Sequence, residues 1–437
     1  MTDAPQDPTA DTAPHLVWTA VDGQPQRSRW RSLAGHPAPA KTVVADDSLS
    51  ADTAYRLADA GRGLLWRGDY QNARHLMQAL ARRVDARVDG WVDGRGEERL
   101  DARVDGRGKG PAGAAPDSSA DAAPGSSAGA AEPGPSAPPA TAALTAAFQA
   151  QRRAQALRSR ILGAVLLPFD ADHGLPLKRA PDVRAAGLQA HGVVDGPYVG
   201  SLRELLGLVG AFEWRKKGVA VPALKGSIHP HHGVFSPVRG EYIDLVAQTR
   251  LPAAAKPARA ADIGTGTGVL AAVLARRGLW VVATDVSPAA LACAQDNFER
   301  LGVAERITLQ QRDLFPKGHF GLVVCNPPWV PWAAAQPGSA LEAAVYDADS
   351  RMLRGYLAGL PAHLAPGGEG WLILSDLAEH LGLRSREQLL GWIAEAGLQV
   401  LGRVDTRPTH ARAADGADPL HAARSAELTS LWRLGRA

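Results

Sequence analysis

Cysteine is nearly absent: Cys293 and Cys325 are the only two in 437 residues. Two thiols exclude a disulfide framework, and Cys325 lies inside an apolar run, as a small buried hydrophobe does. Long hydrophobic runs are also missing. No stretch approaches the roughly 18 apolar residues of a membrane span, so no membrane partner is expected. The opening MTDAPQDPTADTAP is polar and acidic where a secretory leader is basic and then apolar. These absences together suit a cytoplasmic protein. No charge of one sign dominates either: 48 basic against 45 acidic residues leave a net charge of +3. That balance permits a nucleic-acid partner without demanding one. Aromatics make up 5% while hydrophobics reach 45%. Small Ala and Gly therefore supply much of the apolar count, and the excess of Arg over Lys suits a GC-rich bacterial genome.

What is present divides the chain unevenly. Residues 1–14 read as a disordered tail. Between 47 and 83, Leu57, Leu64 and Leu65, then Ala73, Leu76, Met77 and Leu80, recur at helical spacing and predict two short helices. DARVDG appears at 85–90 and again at 101–106, followed by a run of Pro, Gly, Ala and Ser without periodicity. Such a run cannot bury enough surface to offset its ordering entropy, so 85–144 reads as a disordered, low-complexity insertion. Helical pattern resumes near 145. SLRELLGLVGAFEW opens with Ser201 and Glu204 at capping-box spacing. Residues 15–84 and 145–225 are thus expected to form one helical accessory domain.

From about 226 the rhythm changes to short β-rich runs alternating with helical segments, which predicts a doubly wound α/β domain over 226–437. The candidate strands are 258–264, 280–286, 306–314, 320–326, 370–376, 398–405 and 427–434. Seven strands in this order allow an antiparallel last strand. Ser287-Pro288 and Ser385 with Gln388 mark helix starts.

The first chemical motif is Asp262-Ile-Gly264-Thr265-Gly266-Thr-Gly268, placed after a predicted strand and before a helix. Glycines let the backbone approach a ligand where a Cβ would collide, and a helix N-terminus offers free N–H groups. A tight turn would look the same. Asp285, at the end of the next strand, can accept from both ribose hydroxyls. This pair of signals does not separate nicotinamide cofactors from S-adenosylmethionine. Asp313-Leu314 ends the third strand, where an acid can accept from an adenine amine. Asn326-Pro327-Pro328-Trp329 then ends the fourth strand, at the edge where open α/β sheets bind ligands.

The series DIGTGTG, TDVS, RDLF and NPPW resembles the class I methyltransferases with an Asn-Pro-Pro-aromatic motif. These include the HemK-type glutamine methyltransferases and enzymes acting on amino groups of RNA and DNA bases. The resemblance covers roughly 226–437 and implies a Rossmann-like seven-stranded fold using S-adenosylmethionine. By that likeness Asp262, Gly264, Thr265, Gly266 and Gly268 line the methionine end of the cofactor. Asp285 binds ribose, Val286 packs on adenine, and Asp313 with Leu314 holds the adenine amine. Asn326 and the Pro327 carbonyl accept the two N–H bonds of a planar nitrogen, and Trp329 stacks on its plane. The chain has Trp where Tyr or Phe is usual. PVRGE loosely resembles the segment preceding the glycine loop in the glutamine methyltransferases, which adds Phe235, Pro237 and Glu241 as candidates near the cofactor.

Other readings remain beside these. His229, His231 and His232 lack the Cys or spaced acidic ligands of a metal site, so loop solvation is expected and no metal. Arg215, Lys216 and Lys217 read as a solvated helix end or as phosphate contacts. The expected partner is a macromolecular methyl acceptor, protein first because helices precede the sheet as in the glutamine methyltransferases, and RNA second. A binding protein that has lost catalysis, and a nicotinamide-dependent oxidoreductase, are the readings from other classes.

Overall fold

Six short strands, not helices alone, organise the N-terminal domain in the computed structural model. It describes residues 14–20, 22–92, 139–237, 240–255, 259–333, 340–408, 415–416 and 418–437. The strands are β1 (His15–Thr19), β2 (Pro25–Trp30), β3 (Lys41–Ala45), β4 (Arg62–Trp66), β5 (Val165–Phe169) and β6 (Tyr198–Ser201). They close into a barrel in the order β1-β2-β6-β5-β4-β3. Side chains alternate along them, as a strand's period of two requires. Leu65, Leu166 and Val199 join Leu16 and Trp30 in one cluster, while their neighbours Leu64, Val165, Leu167 and Tyr198 face another. The second cluster is covered by α1 (Ala51–Asp59), α2 (Tyr70–Val92) and α3 (Pro139–Gly163). Two further helices, α4 (Arg184–His191) and α5 (Leu202–Lys217), complete the domain.

The expected helical accessory domain is therefore corrected to an α/β one. Leu64 and Leu65, assigned to a helix by spacing, lie in β4 with 0% exposure on opposite faces. A continuous apolar run of four or five residues carries no periodicity that separates strand from helix. The capping box at Ser201 is half correct. Ser201 does accept from the Arg203 N–H, but Glu204 turns away to accept from Ser32 Oγ and the Leu33 N–H. The expected insertion at 85–144 is also narrowed. Residues 85–92 continue α2, where Val88 packs on the core, and 139–144 begin α3; Arg158 of α3 pairs with Asp85 of α2. Residues 93–138, and 1–13 of the expected tail, lie outside the described residues.

A two-stranded ribbon, β7 (Val219–Val221) and β8 (Gly226–Ile228), leads into the C-terminal domain. There α6 (Glu241–Gln248), α7 (Val269–Arg276), α8 (Pro288–Leu301), α9 (Arg351–His363) and α10 (Arg386–Glu395) flank a seven-stranded sheet. Its strands are β9 (Arg259–Ile263), β10 (Trp280–Asp285), β11 (Ile307–Gln311), β12 (Phe320–Cys325), β13 (Leu364–Ser375), β14 (Leu398–Thr406) and β15 (Thr429–Arg436). The order is β11-β10-β9-β12-β13-β15-β14, parallel except for β15, which runs antiparallel to both neighbours. This is the Rossmann-like arrangement expected from the sequence. Both faces are buried: Val324 and Leu322 point to the cluster under α7, Val323 and Cys325 to the one under α9. Ser287 caps α8 by accepting from Ala290 N–H, with Pro288 at its first position.

The two domains are docked through α3. Phe148 meets Trp332 edge-on at 5.2 Å, Thr145 Oγ1 donates to the Leu381 carbonyl at 2.7 Å, and Arg152 pairs with Glu342 at 3.1 Å while covering the Tyr346 ring. Among the described residues, no helix is long and apolar enough to cross a membrane.

Candidate active site

Strand order reverses between β9 and β12, which leaves a crevice at their carboxyl ends. Register sets what lines it. Ile263 pairs with Thr284 on one side and Cys325 on the other, so Gly264 and Asn326 leave their strands beside Asp285, the last residue of β10. The glycine loop, the acid of β10 and the Asn-Pro-Pro-Trp turn thus emerge side by side.

The glycine loop is built from positive backbone angles. Gly264, Gly266 and Gly268 have φ of +69°, +54° and +80°. A Cβ on Gly268 would sit 2.4 Å from the Phe298 ring, whereas one on Gly266 would meet nothing within 4 Å. Gly268 therefore serves packing against α8, and Gly266 faces open space. Asp262 lies beneath the loop, 1% exposed, accepting from Thr265 Oγ1 at 2.6 Å and the Ala271 N–H at 3.1 Å. Burial pushes its carboxyl up to about 6, against the pull of these hydrogen bonds. Asp285 ties two backbones together: Gly266 N–H donates to one oxygen and Ser287 N–H to the other, both at 2.9 Å. Each oxygen keeps a second lone pair. Val286 beside it is 60% exposed, an apolar side chain with no protein cover. Asp313 is exposed, and Leu314 takes φ +61° while its carbonyl accepts from Thr284 Oγ1.

On the far side, Trp329 Nε1 donates to Asn326 Oδ1 at 2.8 Å. An indole N–H can only donate, so the atom it meets is the amide oxygen. The Tyr242 hydroxyl also hydrogen-bonds the Asn326 carboxamide, and its ring meets Trp329 edge-on at 6.3 Å. Burial raises the Tyr242 phenol, so it stays a neutral hydroxyl. No described residue donates to the Pro327 carbonyl.

The family model for the methyltransferase small domain matches residues 225–379. The match lies within the C-terminal domain and covers about a third of the chain. A release factor glutamine methyltransferase of Cereibacter sphaeroides is 36% identical over 184 residues, 37% of this chain and 58% of that protein. A ribosomal protein uL3 glutamine methyltransferase of Bordetella pertussis is 33% identical over 159 residues, 33% and 53% of the two chains. A ribosomal RNA small subunit methyltransferase C of Alcanivorax borkumensis is 32% identical over 123 residues, 27% and 32%. The chain spans about half the length of the glutamine methyltransferases it matches.

Beside this crevice, the segment before α6 lies over α8. Val234 packs with Ala290 and Cys293 just beyond the Asp285 turn. Phe235 is 39% exposed and Pro237 is buried. Ser236 Oγ and Glu241 Oε1 are buried without a partner among the described residues. The histidines are not a solvated loop, as expected, but struts. His229 Nδ1 meets the Arg215 carbonyl, the His229 backbone N–H donates to Asn297 Oδ1, and His231 Nε2 meets Asp296. Asp296 also accepts from Arg215 at 2.9 Å, so that cation joins α5 to α8, while Lys216 pairs with Glu213 on its own helix. No group of potential metal ligands forms among the described residues. Sequence reasoning missed Asn297, which also donates to the Thr267 carbonyl, and Tyr242. Only its position beside Glu241 marked Tyr242; nothing local marks Asn297.

Proposed function

We propose that this protein is a cytoplasmic S-adenosylmethionine-dependent methyltransferase acting on a planar nitrogen, first of all a protein glutamine amide. The observation that carries the reading is the placement of Asn326 and Pro327 directly beside the glycine loop, with the Pro327 carbonyl open and Asn326 Oδ1 fixed. The relatives named glutamine methyltransferases support the amide as acceptor.

The crevice has the features this cofactor asks of it. Gly266 leaves open space where a side chain would stand, Asp285 keeps lone pairs for ribose hydroxyls, and exposed Val286 offers an apolar surface to adenine. The orphaned Ser236 and Glu241 oxygens supply further polar atoms under the covering segment. Asp313 and Leu314 border the adenine end, and Asp262 with Gly264, Thr265 and Gly268 the methionine end. When bound, S-adenosylmethionine supplies an electrophilic sulfonium methyl.

An amide nitrogen is a poor nucleophile because its lone pair is delocalised. Asn326 Oδ1, with one lone pair left, and the Pro327 carbonyl accept its two N–H bonds and turn the nitrogen toward the methyl. Positioning of this kind is worth up to roughly 7–11 kcal/mol. The same two carbonyl dipoles favour positive charge growing on the nitrogen. Trp329 and Tyr242 wall off water and hold the Asn326 amide in one orientation. The proton leaves afterwards to solvent.

The second reading is a base amine in RNA, favoured by the likeness to the small-subunit RNA methyltransferase. Transfer of radiolabelled methyl to a lysate lacking this gene separates them, with Asn326→Ala enzyme as blank. Label lost only to protease supports the protein acceptor. Label lost only to RNase replaces it with RNA, and no label above the blank overturns the proposal.

A further inference from the structure

A second concave site opens at one end of the N-terminal barrel. It encloses about 570 Å³, with Arg29, Arg31, His36 and His191 around its mouth. A narrower recess continues inward past Arg31 to Phe169, Tyr198 and Leu205. The outer part carries the charged side chains among apolar ones, and the floor is apolar.

The charges at the mouth do not all cancel. Arg29 is paired with Asp195 at 2.8 Å, and His36 lies 3.9 Å from Glu204. Glu204 is engaged in turn by Ser32 and Leu33. Arg31 is half-buried, yet its guanidinium has no hydrogen-bond or ion-pair partner among the described residues. It lies over the Tyr198 ring, 5.7 Å from the centroid. A ring beneath a guanidinium holds it flat and leaves its edge N–H groups for a planar, two-oxygen acceptor. His191 stands beside it as a neutral ring: burial, with His173, Arg31 and His232 nearby, pushes it down to about 4.

We propose that this cleft recognises a carboxylate side chain of the protein acceptor, seated on Arg31 in the outer part of the cleft. The inference rests on the protein-acceptor reading given above. A polyphosphate chain fits poorly here. One unpaired guanidinium is not a basic track, and Asp195, 78% exposed at the mouth, and Glu204 in the recess behind Arg31 repel a polyanion. The cleft is linked to the methyl-transfer crevice. His232 feels the charge of Glu204 and lies on the segment that leads through Val234 and Phe235 to Tyr242. An acceptor held at Arg31 is thereby held beside the segment that covers the site.

The test is equilibrium binding of two fluorescein-labelled peptides, Ala-Gln-Ala-Leu-Glu-Leu-Ala and its Glu→Gln counterpart, to the full chain. The acidic peptide should bind about fivefold or more tightly, and the difference should shrink with added salt. Arg31→Gln should abolish the preference while leaving the neutral peptide's affinity and the melting temperature unchanged, and Arg31→Lys should retain part of it. Equal binding of both peptides by the wild type, or a preference that survives Arg31→Gln, overturns the site. So does Arg31-dependent binding of a labelled oligoadenylate. Binding is read without turnover, so an intact acid preference with no methyl transfer would sink the catalytic reading alone.

Discussion

Trp329 Nε1 donates to Asn326 Oδ1 across 2.8 Å, so the fourth residue of the motif fixes the first. A phenylalanine there would keep an aromatic plane but leave the carboxamide free to turn its NH2 toward the acceptor. Trp329→Phe should lower kcat about tenfold, the value of one hydrogen bond of ~1.4 kcal/mol. KM for cofactor should not move. Steady-state kinetics check this, and an unchanged kcat would show that the indole N–H does not orient Asn326.

Asn326→Ala should abolish turnover while S-adenosylmethionine still raises the melting temperature as in the wild type. Loss of that thermal shift would assign Asn326 to cofactor binding instead of acceptor positioning.

Asp262 gives two pH effects of opposite sign. Its carboxyl is raised to about 6 in the folded chain, so ionising it costs stability. That cost is absent below the unfolded value near 4, grows between about 4 and 6, and is constant above; its full size is on the order of 3 kcal/mol. Measured against Asp262→Asn, the wild type should therefore lose relative stability as pH rises through this window. A cationic ligand prefers the ionised carboxylate, so affinity for S-adenosylmethionine should fall as pH drops through about 6. Titrations that are flat from pH 5 to 7 would remove Asp262 from the cofactor's surroundings.

The loop glycines should respond differently to alanine. In Gly268→Ala the new Cβ would strike the Phe298 ring at 2.4 Å in a left-handed backbone, costing about 2–4 kcal/mol of stability. In Gly266→Ala nothing is struck, and only the φ of +54° is strained, for about 1–2 kcal/mol. Gly266→Ala should instead lose cofactor affinity. Urea melts and ligand titration of the two variants separate packing from binding, and equal stability losses would contradict the division.

Arg152 is 6% exposed, between Glu342 and the Tyr346 ring. Arg152→Ala should cost about 3 kcal/mol and open the docking of α3 on the C-terminal domain. Limited proteolysis should then cut within residues 340–346 sooner than in the wild type. An unchanged digestion pattern would show that Phe148 and Thr145 suffice.

The C-terminal half was legible because β9, β10, β12 and β13 are each followed by a turn and then a helix, with side-chain caps at Ser287 and Ser385. Local pattern and tertiary position agree there. The barrel was not legible. Its strands β1 to β3 are short and carry polar residues, as in PQRSRW, while β4 and β5 are apolar runs fused to helices. Glu204 shows the limit of local rules: the spacing that signals a capping box serves a contact with Ser32, 172 residues away. Asn297 and Tyr242 were invisible for the same reason, since what defines them is the company that folding brings. The crevice itself was readable as residues, but not the hydrogen bond between Trp329 and Asn326.

β15 fills the gap between β13 and β14, although its residues, 429–436, follow all the others of the sheet. On a translating ribosome, β13 must wait with one side unpaired and β14 with no neighbour at all. Leu431, Trp432 and Leu434, each 5% exposed or less, then close both gaps at once. The sheet is thus completed in one late step. A nascent chain arrested before residue 429 presents an open apolar strand, the kind of surface that chaperones hold and that aggregates when they do not.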